Sequence, residues 1–251
     1  MVGELRLIEN LAEAAWKSLP EYKDEKKLPP SAAGAGLSER YAYDIGLLPS
    51  LELDDTYTIP FLPKVQISGA RIVYRASQAK YGEGVHKLIV FENAQQFGLG
   101  ATPLASADTE VVAITEAGVL PHGSARVPYA PIGGKCEIDL GVAPEVLAER
   151  RVMKKQRTNF EFDRFGQVEG YDEREWIQVR LRNLSEHSVT LEYTDTIPGV
   201  WDVAAEVPYI EEGLNDVTFH AQLSPHSEET LSYRLLKRQG RRVRLGPIRP
   251  K

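Results

Sequence analysis

From Trp176 to Leu236 the chain is a series of short segments that alternate apolar and polar residues. It reads WIQVRLRNLSEHSVTLEYTDTIPGVWDV, passes through VPYIEEGLNDVTFHAQL and closes with SPHSEETLSYRLL. Period-two alternation puts successive side chains on opposite faces of a strand, and the Asn, Ser, Gly and Pro between segments supply turns. A chain patterned in this way folds as half-buried strands of an antiparallel sandwich.

The same signal runs upstream. YAYDIG, LELDDTYTIPFL, VQISGARIVYRA, HKLIVFEN, EVVAITE, LPHGSARVPYAPI and KCEIDLG each read as strands, with turns at ADT, EAG and GG, and Pro60 and Pro63 mark an edge or a strand end. With 42% hydrophobic and 26% charged residues in 251, two sandwiches can each have a core. We therefore expect a mainly β protein of two tandem antiparallel β-sandwich units, residues 41–150 and 151–245. Residues 1–40 are expected to hold a short helix and a flexible linker. Leu5, Ile8, Ala12, Ala15 and Leu19 recur at helical spacing until Pro20, and a charged and then Pro, Ala and Gly-rich stretch follows. Residues 246–251 are a basic tail.

Charge limits the partners. The net charge of −6 hides an asymmetry: Lys237 to Lys251 carries seven cations and no acid, which leaves −13 on the rest. An acidic body argues against nucleic acid, which needs a positive face. The run Arg150, Arg151, Lys154, Lys155 and Arg157 ahead of Phe160, Phe162 and Phe165 has the mixture that binds single strands, but it alternates like a strand with a solvated polar face. The basic tail either docks on the acidic body of its own chain or of a neighbour, the latter giving a homo-oligomer, or is a frayed and solvated terminal strand. No stretch approaches the ~20 apolar residues of a membrane span. No leader is readable in MVGELRLIENLAEAAW, so the cytoplasm is the default; a chain that had lost a leader, and was secreted or periplasmic, would read the same way.

Chemistry-bearing motifs are sparse. The lone cysteine, Cys136, shares a strand face with Ile138 and Leu140 and reads as a buried structural thiol. His86, His122, His187, His220 and His226 show neither i, i+2 nor i, i+4 pairing, so no metal site is expected. Gly98 and Gly100 follow a strand as in a dinucleotide loop, but a third glycine is missing and Pro103 stands where a helix should open. A tight connection with unusual backbone angles is the better reading, and no cofactor is expected. Asp54 and Asp55 point to opposite faces of a strand and read as a turn. Glu173 and Glu175, next to Asp172, share a face and could form half of a glycosidase pair or a calcium site. The solvated start of the strand WIQVRL is the preferred account. There is no GxSxG elbow, and no catalytic residue is assigned.

The blocks FENAQQFGLGATPLA, ITEAGVL, VPYAPIGGKCEIDLGVAPEVLAERRV, WIQVRLRNLSEHSVTLEYTDTIPGVWDV and LSPHSEETLSYRL, in this order, resemble the bacterial and archaeal domain of unknown function 4139, also labelled mucoidy-inhibitor-like. The resemblance covers about Tyr41 to Leu245 and implies β-sandwich architecture with an immunoglobulin- or fibronectin-like second unit. It implies no established reaction. In the family's usual layout a separate N-terminal β domain and a long coiled coil come first, whereas here only the short helix of residues 5–19 is expected ahead of the domain.

The function expected from these observations is a non-catalytic interaction module that binds a protein or carbohydrate partner. Rings on alternating strands most often fill the core between sheets, which is the preferred reading here. Rings exposed together on one face would make a platform, and Trp201, expected to be partly exposed at a turn after Pro198 and Gly199, forms with Trp176 and Tyr209 the candidate binding set. The alternative is a glycosidase-like polysaccharide hydrolase with carboxylates at the junction of the two units.

Overall fold

The computed structural model describes residues 66–115, 118–246 and 248. The expected N-terminal helix, linker, first strands and Asp54–Asp55 turn lie outside them. The described residues are mainly β, with 65% strand and about 7% helix in several open sheets. No described helix is long and apolar enough to cross a membrane.

Twelve strands are described: β1 (Arg71–Ser77), β2 (Val85–Glu92), β3 (Ala107–Thr115), β4 (Gly118–Val127), β5 (Lys135–Val142), β6 (Val146–Phe162), β7 (Val168–Asn183), β8 (Val189–Thr196), β9 (Val200–Ala205), β10 (Tyr209–Glu212), β11 (Asp216–Leu223) and β12 (Glu228–Gly240). One helical turn, α1 (Gln78–Tyr81), follows β1. The sheet orders are β10-β11-β8-β1-β2-β5, β6-β7-β12-β9 and β3-β4.

The chain divides into two units, which interleave rather than follow one another. Of the described residues, the first holds those up to Arg71 together with those of Ile89–Leu140, and the second holds Ile72–Leu88 with those from Gly141 onward. β1 joins the second unit because it pairs with β8, with Tyr74 opposite Leu191 and Ser77 opposite Thr194. That pairing is parallel, which corrects the expectation of purely antiparallel sheets. Parallel neighbours need a long connection between them, and more than a hundred residues separate β1 from β8.

In the first unit Ile89, Phe91, Ala130, Cys136 and Ile138 form the core, with Leu99, Leu104 and Val127 packed against it. Asn93 is fully buried there. Its Nδ2 donates to the carbonyls of Thr102, Ala130 and Pro131 at 3.0, 3.1 and 3.2 Å, and its Oδ1 accepts from Gly100 N at 2.9 Å. Gly100 takes φ +83, and a Cβ there would meet Gln95 N at 2.5 Å. The tight connection expected around Gly98 and Gly100 is present and has this packing reason. ADT, expected as a turn, is instead the start of β3, where Asp108 lies opposite Arg126.

In the second unit the alternation of β7 sends Ile177, Val179 and Leu181 inward, and β12 adds Leu231, Tyr233 and Leu235. They share one core with Tyr74, Ala76, Leu191, Tyr193, Val217 and Phe219 of the six-stranded sheet. Phe219 lies 5.0 Å from the Tyr233 ring and 5.7 Å from that of Tyr209, spacings at which aromatic pairs attract.

Candidate functional site

The inward face of β7 continues past Ile177 into Glu175 and Glu173, so the residues that build the core end in two carboxylates. The two share a face, as period-two spacing requires. Their surroundings differ from the expected solvated strand start: β7 begins at Val168, and Asp172, Glu173 and Glu175 are only 5–6% exposed. Cations from both neighbouring strands make this burial tolerable. On β6, Lys155 lies opposite Glu175 and Arg157 opposite Glu173, and on β12, Lys237 lies opposite Glu173. Lys155 Nζ reaches Glu173 at 2.8 Å and Glu175 at 3.1 Å; Arg157 reaches Glu173 at 3.2 Å and Lys237 reaches Glu175 at 3.4 Å. Burial works against the Glu175 charge, but the Lys155 and Lys237 contacts prevail and hold its carboxyl below the usual range. Four of the five cations in the basic run, Arg150, Arg151, Lys155 and Arg157, are engaged by the chain's own acids.

Arg150 sits one step nearer the core. Its Nε donates to Asp195 Oδ2 at 3.2 Å, and the Tyr233 hydroxyl donates to the same oxygen. Burial opposes the charge on Arg150, and Asp195 more than offsets it, so the guanidinium stays ionised. The Tyr193 and Tyr233 hydroxyls are pushed well above the ordinary phenol range, chiefly by burial, and are neutral. This network was not identified from the sequence. Its signal is the acid that ends the inward series Val189, Leu191, Tyr193, Asp195 on an otherwise apolar strand face.

Beside this network lies a cleft of about 660 Å3, lined by the end of β1, α1 and the loop after it, the start of β6 and the end of β8. Ser77, Gln78, Glu83, Glu149, Arg150 and Thr196 supply much of its polar lining. Its volume lies within the roughly 300–1,000 Å3 of small-molecule sites.

The three aromatic residues expected to bind do not share one surface. Trp201 lies inside β9, opposite Lys237, packs against the core, and donates from Nε1 to the Leu214 carbonyl at 3.3 Å. Tyr209 packs on Phe219 and donates its hydroxyl to the Val203 carbonyl at 2.9 Å. Trp176 lies opposite Arg234 on the other face of that sheet, under the Lys154 ammonium 4.8 Å from its ring. The sheet register therefore separates Trp176 from Trp201.

The basic end of the chain folds back on its own acids. Arg242 contacts Asp172 and Glu161, and Arg241 contacts Glu169 at 2.9 Å. Cys136 is fully buried, and burial, with Glu137 adding to it, pushes its thiol up to about 11. That is the chemistry of an inert structural thiol. Among the described residues no group of three or more His, Cys, Asp and Glu side chains is placed to hold a metal ion.

No protein-family model, curated protein or solved structure matches the chain.

Proposed function

We propose that the chain is a non-catalytic interaction module, built of sandwich-like β units with an immunoglobulin- or fibronectin-like second unit, that binds a protein or carbohydrate partner. The resemblance to domain of unknown function 4139 belongs to the same proposal. The observation that carries it is the state of the clustered carboxylates. A glycosidase pair needs one free acid and one free base facing a substrate. Glu173 and Glu175 are instead buried and held by Lys155, Arg157 and Lys237, and Asp195 is held by Arg150 and Tyr233. Removing any of these carboxylates from its partners would leave charge buried and uncompensated, so they act as scaffold. The cleft and the exposed strands supply the surfaces for a partner.

Titration of the chain against glycan and peptide panels, with product analysis on every glycan, tests this. Saturable binding with the ligand recovered intact is the expected result. Turnover of a glycan in the absence of saturable binding would overturn it.

A further inference from the structure

We infer that the cleft between the ends of β1 and β8 takes a small, neutral, polyhydroxylated ligand of the mono- or disaccharide class, an inference that rests on the binding-module reading. Its starting point is Ser77. This residue is 8% exposed, lines the cleft, and occupies the position before α1 where a serine ordinarily caps the following turn. Its side chain makes no capping bond. A ligand hydroxyl in the cleft can therefore hydrogen-bond to it in place of water.

Charge in the cleft selects the ligand class. Arg150 is paired with Asp195, and Arg151 with Glu149 at 3.1 Å, so neither cation is available without breaking an ion pair. Glu83 has no ion-pair partner among the described residues, and its position in the lining repels an anion. A neutral ligand disturbs none of these pairs. The remaining lining groups donate and accept hydrogen bonds in comparable measure: the Ser77 hydroxyl, the Gln78 amide, the Thr196 hydroxyl, which already donates to Asp216 at 2.6 Å and keeps acceptor capacity, and the Glu83 carboxylate. Sugar hydroxyls, each both donor and acceptor, match such a set. Ala76, Ala79, Ala148 and the side-chain-free Gly82 and Gly84 leave room against the wall for the C–H face of a ring.

The test is isothermal titration of the full chain with neutral mono- and disaccharides, a uronic acid and uncharged short peptides. Neutral saccharides are expected to bind saturably and the uronic acid more weakly. Ser77→Ala should weaken saccharide binding by about three- to tenfold, the scale of one hydrogen bond, with an unchanged thermal midpoint because the hydroxyl does not cap α1. Glu83→Gln should improve binding of the uronic acid relative to neutral saccharides. Absence of saturable saccharide binding, or identical titrations for wild type and both variants, would overturn the inference. Peptide binding by a chain that takes no saccharide overturns the cleft inference and leaves the module reading standing. Conversion of a bound saccharide to products overturns the non-catalytic reading and leaves the cleft as its site.

Discussion

Arg242 grips Asp172 at two points, Nε to Oδ1 at 2.6 Å and Nη2 to Oδ2 at 2.9 Å, and so ties the basic end of the chain to β7. Asn159, which takes φ +55 at an irregularity in β6, adds a 2.7 Å hydrogen bond to the same carboxylate. A fork of this kind depends on guanidinium geometry as well as charge. Arg242→Lys should therefore speed amide hydrogen exchange around Val168–Asp172 while leaving the circular dichroism unchanged. Truncation after Gly240 should do the same, and its sedimentation coefficient should change only by the lost mass, because Arg241 and Arg242 are engaged within the chain. A larger change would place the tail on a neighbouring subunit.

The carboxylates of β7 make the fold sensitive to acid. Burial disfavours the charges of Asp172 and Glu175, but their cationic partners hold both carboxyls below the ordinary range. A carboxyl with a depressed native value contributes stability that is complete above its unfolded value, near pH 4, and is lost as pH falls through the native one. Glu175→Gln should cost about 2 kcal/mol at pH 7, below the roughly 3–5 kcal/mol of a fully buried pair because Lys155 is half-exposed, and should flatten the acid limb. Denaturant titrations at pH 7 and pH 3 check both; equal losses for wild type and variant between the two pH values would count against this assignment.

Asn93 gathers three carbonyls around one amide nitrogen. Asn93→Ala should destabilise the first unit by about 2–3 kcal/mol, the scale of leaving buried backbone groups unpaired. Asn93→Asp should be worse, since a carboxylate oxygen would then face the carbonyls of Thr102, Ala130 and Pro131. Chemical denaturation of the two variants gives the order, and a milder aspartate would refute the contact set.

Phe219, 2% exposed, packs with Tyr193, Tyr209 and Tyr233. Phe219→Ala should cost about 3–5 kcal/mol. A loss under about 1 kcal/mol, measured by denaturant unfolding, would mean that the side chain is not central to this core.

The strands were legible because alternation is a local property. Ile177, Val179 and Leu181 announce the buried face of β7, and Cys136 with Ile138 that of β5. Three features depended on neighbours distant in sequence. Glu173 and Glu175 looked solvated because Lys155 and Lys237, which neutralise them, come from other strands. Trp201 follows a Pro-Gly turn and reads as partly exposed, which it is, but the core it also packs against comes from other strands. The parallel pairing of β1 with β8 left no mark in either segment, because hydrogen-bond direction does not alter side-chain period. Asn183, a fully buried asparagine in the second unit, was equally silent. It ties His187, Leu223 and Ser224 together through their carbonyls, while NLSEHS reads only as a turn.

The most direct test of the account is calorimetric titration of the folded full-length chain with a panel of glycans and peptides, each ligand analysed afterwards for chemical change. The account predicts at least one saturable isotherm with the ligand recovered intact. Hydrolytic turnover without a saturable binding partner would contradict it.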